Sequence, residues 1–140
     1  MPKTYRLLIV DDSRSVLKVL EHAFADTPFQ VTTSTAPLAA YEMIENEHFD
    51  IVISDIMMPE MDGLTLLRKI KNFNGMIHVI MITGQITINN TLNAFRYGAN
   101  DIFFKPFEDV GDIVRAAEAA AAKLDRINAI LKRLTREKRG

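Results

Sequence analysis

Asp11 and Asp12 close one short apolar run, Asp55 closes a second, Thr83 and Gly84 follow a third, and Lys105 and Pro106 follow a fourth. Carboxylates, a hydroxyl and an ammonium are parts suited to accepting a phosphoryl group. A carboxylate forms an acyl phosphate once cations neutralise the incoming charge, so Asp55 is the candidate nucleophile and Lys105 the candidate cation. Thr83 can hydrogen-bond a phosphoryl oxygen through its hydroxyl. Gly84 lets a backbone N–H approach closely because no Cβ intervenes.

The elements that must bring these residues together are legible in the same stretches. Leu7–Val10, Ile51–Ile53, Val79–Ile82 and Ile102–Phe104 are short, rich in β-branched or aromatic residues and without polar alternation, as expected of strands buried on both faces of a parallel sheet. Val31–Thr35 reads as a further strand. With each special residue at a strand's carboxyl end, Asp11, Asp12, Asp55, Thr83 and Lys105 converge on one sheet edge, where open α/β folds place their sites. Three crowded carboxylates repel, and relief comes from raised pKa values, the lysine or a bound cation. Mg²⁺ fits best, because it takes oxygen ligands and commonly bridges carboxylates to a phosphoryl group. The chain has no cysteine and only His22, His48 and His78, none adjacent to the cluster in sequence, which argues against a soft-metal site. Surface or strand-end positions account for all three histidines.

Helices fill the intervals. Ser13 caps a helix from Arg14 to about Ala25, with Val16, Val19, Leu20 and Phe24 on its buried face. Further helices are expected from Pro37 to about Asn46, Gly63 to about Asn72, and Ile86 to Tyr97 with Gly98 as a left-handed cap. Asn89, Asn90 and Asn93 make the last of these a poor helix former. The final helix runs from about Asp109 to Lys138, roughly 45 Å at 1.5 Å per residue.

From Lys3 to about Ala122 the chain resembles the receiver domain of bacterial two-component response regulators. The likeness rests on Asp11-Asp12-Ser13, the segment Asp55-Ile56-Met57-Met58-Pro59-Glu60-Met61-Asp62-Gly63, Thr83-Gly84 and Lys105-Pro106-Phe107, in that order. It implies an α/β, flavodoxin-like, doubly wound five-stranded parallel sheet in the order 2-1-3-4-5, with an extended C-terminal helix. It further implies that Asp55 accepts phosphate from a histidine kinase. Asp12, Asp55 and the Met57 carbonyl would bind Mg²⁺ directly, Asp11 would help through water, and Lys105 would contact the phosphate. Pro59 and Gly63 would shape the loop after the acceptor. At the position three before the lysine, often an aromatic switch residue in this family, the chain has Ile102, so coupling is expected to rest on Thr83 and its loop. Phe103 and Phe104 are expected in the core. Met57 and Gln85 occupy the positions that vary with phosphoryl lifetime. Met57 offers an attacking water no side-chain hydrogen bond, while Gln85 could orient one or cap the next helix, and self-dephosphorylation is expected to be intermediate to slow.

At 140 residues and 48% hydrophobic content one domain is expected, with 1–122 as receiver and 123–140 as an extension of the last helix. Ala117, Ala120, Leu124, Ile127, Leu131 and Leu134 alternate in spacings of three and four, a heptad seam broadened by Ile130. A homodimer is expected through this helix or through the face of helix four, strand five and helix five. Residues 1–109 carry 9 Lys+Arg against 14 Asp+Glu, net −5, while 110–140 carry 8 against 4, net +4. Cations suit the negative end of a helix dipole, and without a recognition motif or aromatic interleaving they do not indicate nucleic-acid binding. No run approaches the roughly 20 apolar residues of a membrane helix, and the absence of cysteine suits a reducing cytoplasm. Stand-alone chain and fragment of a longer protein with an output domain both remain open, the polar ending Arg139-Gly140 favouring the former.

Two other classes fit less well. Phosphatases with an aspartyl nucleophile usually separate two strand-one aspartates by one residue, whereas here they are adjacent. In a flavin-binding domain of similar topology, the first loop, Asp11-Asp12-Ser13-Arg14-Ser15, would repel phosphate. The expected action is therefore stoichiometric signalling, with no turnover of an external substrate.

Overall fold

A computed structural model describes residues 4–85 and 87–139. Five strands, β1 (Arg6–Val10), β2 (Gln30–Ser34), β3 (Ile51–Asp55), β4 (His78–Thr83) and β5 (Asp101–Phe104), form one parallel sheet in the order β2-β1-β3-β4-β5. Helices α1 (Arg14–Ala23), α2 (Pro37–Asn46), α3 (Gly63–Phe73), α4 (Ile88–Arg96) and α5 (Gly111–Arg139) connect and follow them.

The uninterrupted apolar runs are explained by what covers each face. Successive side chains on a strand point to opposite sides. Leu8, Val10, Val52, Val79 and Met81 pack under α2, α3 and α4 against Ile44, Leu66, Leu67, Ile70 and Ala94. Leu7, Ile9, Ile51, Ile53, Ile80 and Ile82 pack under α1 and α5 against Leu17, Leu20, Phe24, Ile113 and Ala117. Register then fixes the site. Val10 pairs with Ser54, Asp55 with Ile82, and Thr83 with Phe104, so strand ends β1, β3, β4 and β5 lie at one edge.

Helix starts follow local chemistry. The Ser13 side chain accepts from Val16 N–H at 3.4 Å, Asp62 from Thr65 N–H at 2.8 Å and Thr87 from Asn90 N–H at 3.1 Å. Gly98, with φ of 103°, closes α4 in the left-handed region.

Several expectations are corrected. Val19 is exposed and Leu17 is buried in its place, while Leu20 and Phe24 are buried and Val16 packs against the same core, as expected. α1 ends two residues earlier than expected, β2 begins and ends one residue earlier, and α5 begins at Gly111 after a turn in which Gly111 N–H donates to Asp109 Oδ1 at 2.9 Å. β5 is an edge strand, not one buried on both faces; Phe103 is half-buried and Phe104 is exposed. The expected start of α4 at Ile86 lies outside the described residues, and the helix begins at Ile88. The first half of the heptad seam is committed to the domain, since Ala117 and Ala120 are buried and Leu124 packs against the same cluster. The Tyr5 hydroxyl donates to Asp125, and burial together with that carboxylate pushes the phenol up to about 12.

Candidate functional site

β1 delivers Asp11 to a position with no solvent exposure, while the next residue, Asp12, faces outward. Asp11 Oδ1 accepts from Ser13 N–H at 2.9 Å, which turns the chain into α1 and fixes the carboxylate. β3 delivers Asp55, 4% exposed, with Oδ1 accepting from Met57 N–H at 3.4 Å. From the end of β5, Lys105 reaches in between, with Nζ 2.9 Å from Asp11 Oδ2 and 3.3 Å from Asp55 Oδ2. Its backbone N–H donates to Thr83 O at 2.8 Å, tying it to β4.

The loop after Asp55 is held by a backbone contact. Gly63 N–H donates to Ile56 O at 2.7 Å, and a Cβ at Gly63 would lie 2.0 Å from Asp55 O and 2.7 Å from Ile56 Cα. Glycine is thus required where α3 begins, because the helix start lies on the backbone of Asp55 and Ile56. Gly84 differs: among the described residues a side chain there would meet only Lys105 Cβ at 4.0 Å, so their packing does not demand glycine.

Electrostatics favour an added cation. Burial, then the Asp11 charge, raises the Asp55 pKa above the ordinary aspartate value, and Lys105 offsets this only in part. For Lys105, burial is the largest single influence and lowers its pKa, but Asp11 and Asp55 together outweigh it and hold the ammonium above the ordinary lysine value. Asp11, Asp12 and Asp55 each offer an oxygen, all within 4.8 Å of one another. Asp11 Oδ2 is buried without a partner in hydrogen-bond geometry, despite its ion contact with Lys105. A cluster of hard oxygen donors containing one such atom fits a divalent cation.

Thr83 is buried, and its hydroxyl is occupied: it accepts from Gln85 N–H at 3.1 Å and lies 3.2 Å from Gln85 O as donor. Gln85 does not cap α4, since Thr87 does so. Met57 is exposed beside the site, and Ile102 packs against the core beneath α4. His22, His48 and His78 are not among the clustered residues; His48 pairs with Asp50 at 2.7 Å.

Two apolar surfaces lie near the site, the first not indicated by the sequence and the second on the face of helix four, strand five and helix five, whose exposed residues the sequence did not single out. One is a groove of about 580 Å³ between α1 and the β5–α5 loop, lined by Val16, Val19, Lys105, Pro106, Phe107 and Val110. The other is a stripe on α4, Ile88, Leu92 and Phe95, exposed like Phe104 on β5. The only signal was an apolar residue in excess of what each inward face needs.

Comparison with known proteins agrees with this geometry. The family description "response regulator receiver domain" matches residues 7–118. The DNA-binding transcriptional regulator NtrC of Escherichia coli (strain K12) is 37% identical over 112 residues, 80% of this chain and 24% of that protein. Response regulator SaeR of Staphylococcus epidermidis is 36% identical over 101 residues, 72% of this chain and 44% of that protein. The chain thus spans about a quarter to under half the length of these relatives. The crystal structure of a CheY-like response regulator receiver domain protein from Methanospirillum hungatei JF-1 superposes with a TM-score of 0.84 at 25% identity, covering 89% of this chain and 98% of that one.

Proposed function

Because this chain belongs to the response regulator receiver family, whose chemistry is acceptance of a phosphoryl group on an aspartate, we propose that Asp55 is the acceptor and a histidine kinase the donor. A receiver turns over no external substrate; its own carboxylate is the group modified. The observation that carries the assignment is the burial of Asp55 with Lys105 Nζ at 3.3 Å and two further carboxylates within 4.8 Å.

Asp55 Oδ2 is the attacking atom. The bond from the donor nitrogen to phosphorus breaks as the bond from Oδ2 to phosphorus forms, and the electron pair leaves with the imidazole. Lys105 lies where it faces both the carboxylate and the incoming phosphoryl oxygens. Asp12, Asp55 and the Met57 carbonyl would hold Mg²⁺ directly, with Asp11 acting through water; the bound ion would neutralise phosphoryl charge. Phosphorylation adds about two negative charges. Thr83 then has a competing acceptor for its hydroxyl, and its release from Gln85 frees the loop before α4. A population shift follows on the face of α4, β5 and α5, where Ile88, Leu92, Phe95 and Phe104 are already exposed. The proposed partners there are an effector or a second copy, which could also meet through the C-terminal helix. The groove between α1 and the β5–α5 loop borders Lys105 and suits the kinase.

No helix of the described residues is long and apolar enough to cross a membrane. We place the protein in the cytoplasm with its kinase, as a receiver through residue 122 continued by a helical extension.

The test is incubation with acetyl phosphate and Mg²⁺, followed by intact mass. The expected result is one added phosphoryl group, not formed when Mg²⁺ is chelated before the phosphoryl donor is added and absent in Asp55→Asn. Stable, stoichiometric labelling of Asp55→Asn would overturn the assignment.

A further inference from the structure

α5 is 29 residues long, about 43 Å. Its domain-facing part ends with Leu124, Asn128 and Leu131, which line a small cleft with Phe49, Met76 and Ile77, while the Tyr5–Asp125 hydrogen bond pins the helix just before it leaves. Over this last stretch Ile130, Leu131 and Leu134 are 58%, 54% and 51% exposed, an apolar stripe that the described residues of the domain leave half uncovered.

Between Arg126 and Arg139 there are six Lys or Arg and one Glu, and their placement selects an occupant for that stripe. With Leu124 and Leu131 at heptad position a, and Ile127 and Leu134 at d, Lys132 and Arg139 fall at b, Arg126 and Arg133 at c, Arg136 at f, and Lys138 at the a position that follows the last apolar layer. All but Lys138 are outer positions, so five of the six cations stay in water when the stripe is covered by a like helix, and Lys138 ends the seam. The positions that flank the seam are Asn128 and Thr135 at e, with Ile130 and Glu137 at g. A parallel copy therefore sets Ile130 against Thr135, with no cation facing a cation through these layers. An anionic bilayer would need cations beside the apolar stripe, whereas Lys132, Arg136 and Arg139 lie across the helix from it.

We propose that the exposed end of α5 pairs in parallel with the α5 end of a second copy, over the layers from Ile127 to Leu134 along which the helix leaves its own domain. This deepens the self-association reading and gives it a register. The contact is small. A standard interface buries about 800 Å² per partner, which three half-exposed aliphatic side chains do not approach, so pairing is transient unless two copies are held at high local concentration. Two domains joined this way stand apart, each keeping its phospho-accepting edge open to a kinase.

The chain has no native cysteine, so single cysteines report position cleanly. Ile127→Cys, Leu134→Cys, Arg133→Cys and Arg136→Cys are each oxidised with copper phenanthroline at several protein concentrations, and disulfide dimers are followed over time. Expected is cross-linking at Ile127→Cys and Leu134→Cys at least about fivefold faster than at the two outer positions, because a and d layers of a parallel pair meet their own copies. Equal rates at all four positions, or no dimer at the d positions, would overturn the proposal. Fast cross-linking at only one d position would overturn the parallel arrangement. Phosphoryl labelling of Asp55 in each variant is measured alongside, so failure of the pairing and failure of the acceptor assignment give different results.

Discussion

Replacing Gly63 by alanine perturbs the backbone of Asp55 without touching its side chain. A Cβ at this position would lie 2.0 Å from Asp55 O and 2.7 Å from Ile56 Cα, so the start of α3 and the end of β3 must part by about an ångström to relieve the overlap. That movement stretches the 2.7 Å hydrogen bond from Gly63 N–H to Ile56 O, worth about 1 kcal/mol. Overpacking against backbone, which has no rotamer to yield, adds about 1–3 kcal/mol. The expected loss is therefore about 2–4 kcal/mol, or a fall in Tm on the order of 10 °C for a chain of this size. Gly75→Ala is the control, since its Cβ would meet only Lys71 O at 3.7 Å and φ lies outside the left-handed region; its stability should stay within about 0.5 kcal/mol of the parent. The chain has no tryptophan, so urea unfolding is followed by far-UV circular dichroism, with unchanged slope confirming that only stability moved. Equal losses at the two glycines, or a loss below about 1 kcal/mol at Gly63, would refute the steric account. Phosphoryl uptake should also fall in folded Gly63→Ala, because the displaced carbonyl belongs to Asp55.

Other perturbations test the electrostatics. Asp55→Asn should raise the stability of the metal-free protein at neutral pH, since burial and Asp11 make the charged form of Asp55 unfavourable in the fold; a lower Tm in the variant would count against this. The same raised pKa means that the Asp55 contribution falls as pH rises through its folded value, and Mg²⁺ should restore it; a Tm insensitive to millimolar Mg²⁺ at neutral pH would argue against the cation site. Lys105→Met leaves Asp11 and Asp55 buried without their cation and should cost about 3 kcal/mol in the absence of metal, measured by urea unfolding, with Lys105→Arg recovering part of the loss. His78 is held down to about 4 by burial and by Lys71 and Lys123, with Asp101 opposing, against 6.5 in the unfolded chain. Between those values the unfolded chain holds a proton that the fold does not, so stability contributed above pH 6.5 is lost as pH falls toward 4. After discount for partial exposure this is about 2 kcal/mol. His78→Gln should remove that difference, and parallel stability curves for the two proteins from pH 7 to 4 would show His78 to be uninvolved.

The strands were readable because burial on both faces leaves a run of apolar residues that no other local structure needs, as in Ile51-Val52-Ile53 and Val79-Ile80-Met81-Ile82. Parallel register then carried Asp11, Asp55, Thr83 and Lys105 to one edge without any knowledge of angles. What periodicity could not supply was which apolar residues would be left over. Val19 fits an inward stripe about as well as Leu17, and only the packing of α1 against β1 and α5 decides that Leu17 goes in. Phe104 was assigned to the core because it is aromatic and in a strand, but an edge strand covered by the short α4 has room for fewer side chains than it carries.

The occupied state of Thr83 was likewise invisible, because a hydroxyl's partner depends on the turn that follows it. That partner has a consequence for switching. Thr83 exchanges two bonds with the Gln85 backbone at 3.1 and 3.2 Å, so recruiting its hydroxyl to a phosphate competes with a local turn. Two neutral hydrogen bonds contribute about 1–3 kcal/mol, comparable to a charge-assisted bond to a phosphoryl oxygen. The two states of the loop are thus close in free energy, as a switch requires. Ala94 is the buried residue of α4, so little packing opposes movement at the end of the helix next to Thr87. Thr83→Val removes the hydroxyl from both states at once, and should leave Asp55 able to accept phosphate while hydrogen exchange at the start of α4 no longer changes on addition of beryllofluoride. A full exchange response in Thr83→Val would mean that the signal leaves the site through Lys105 and β5 instead.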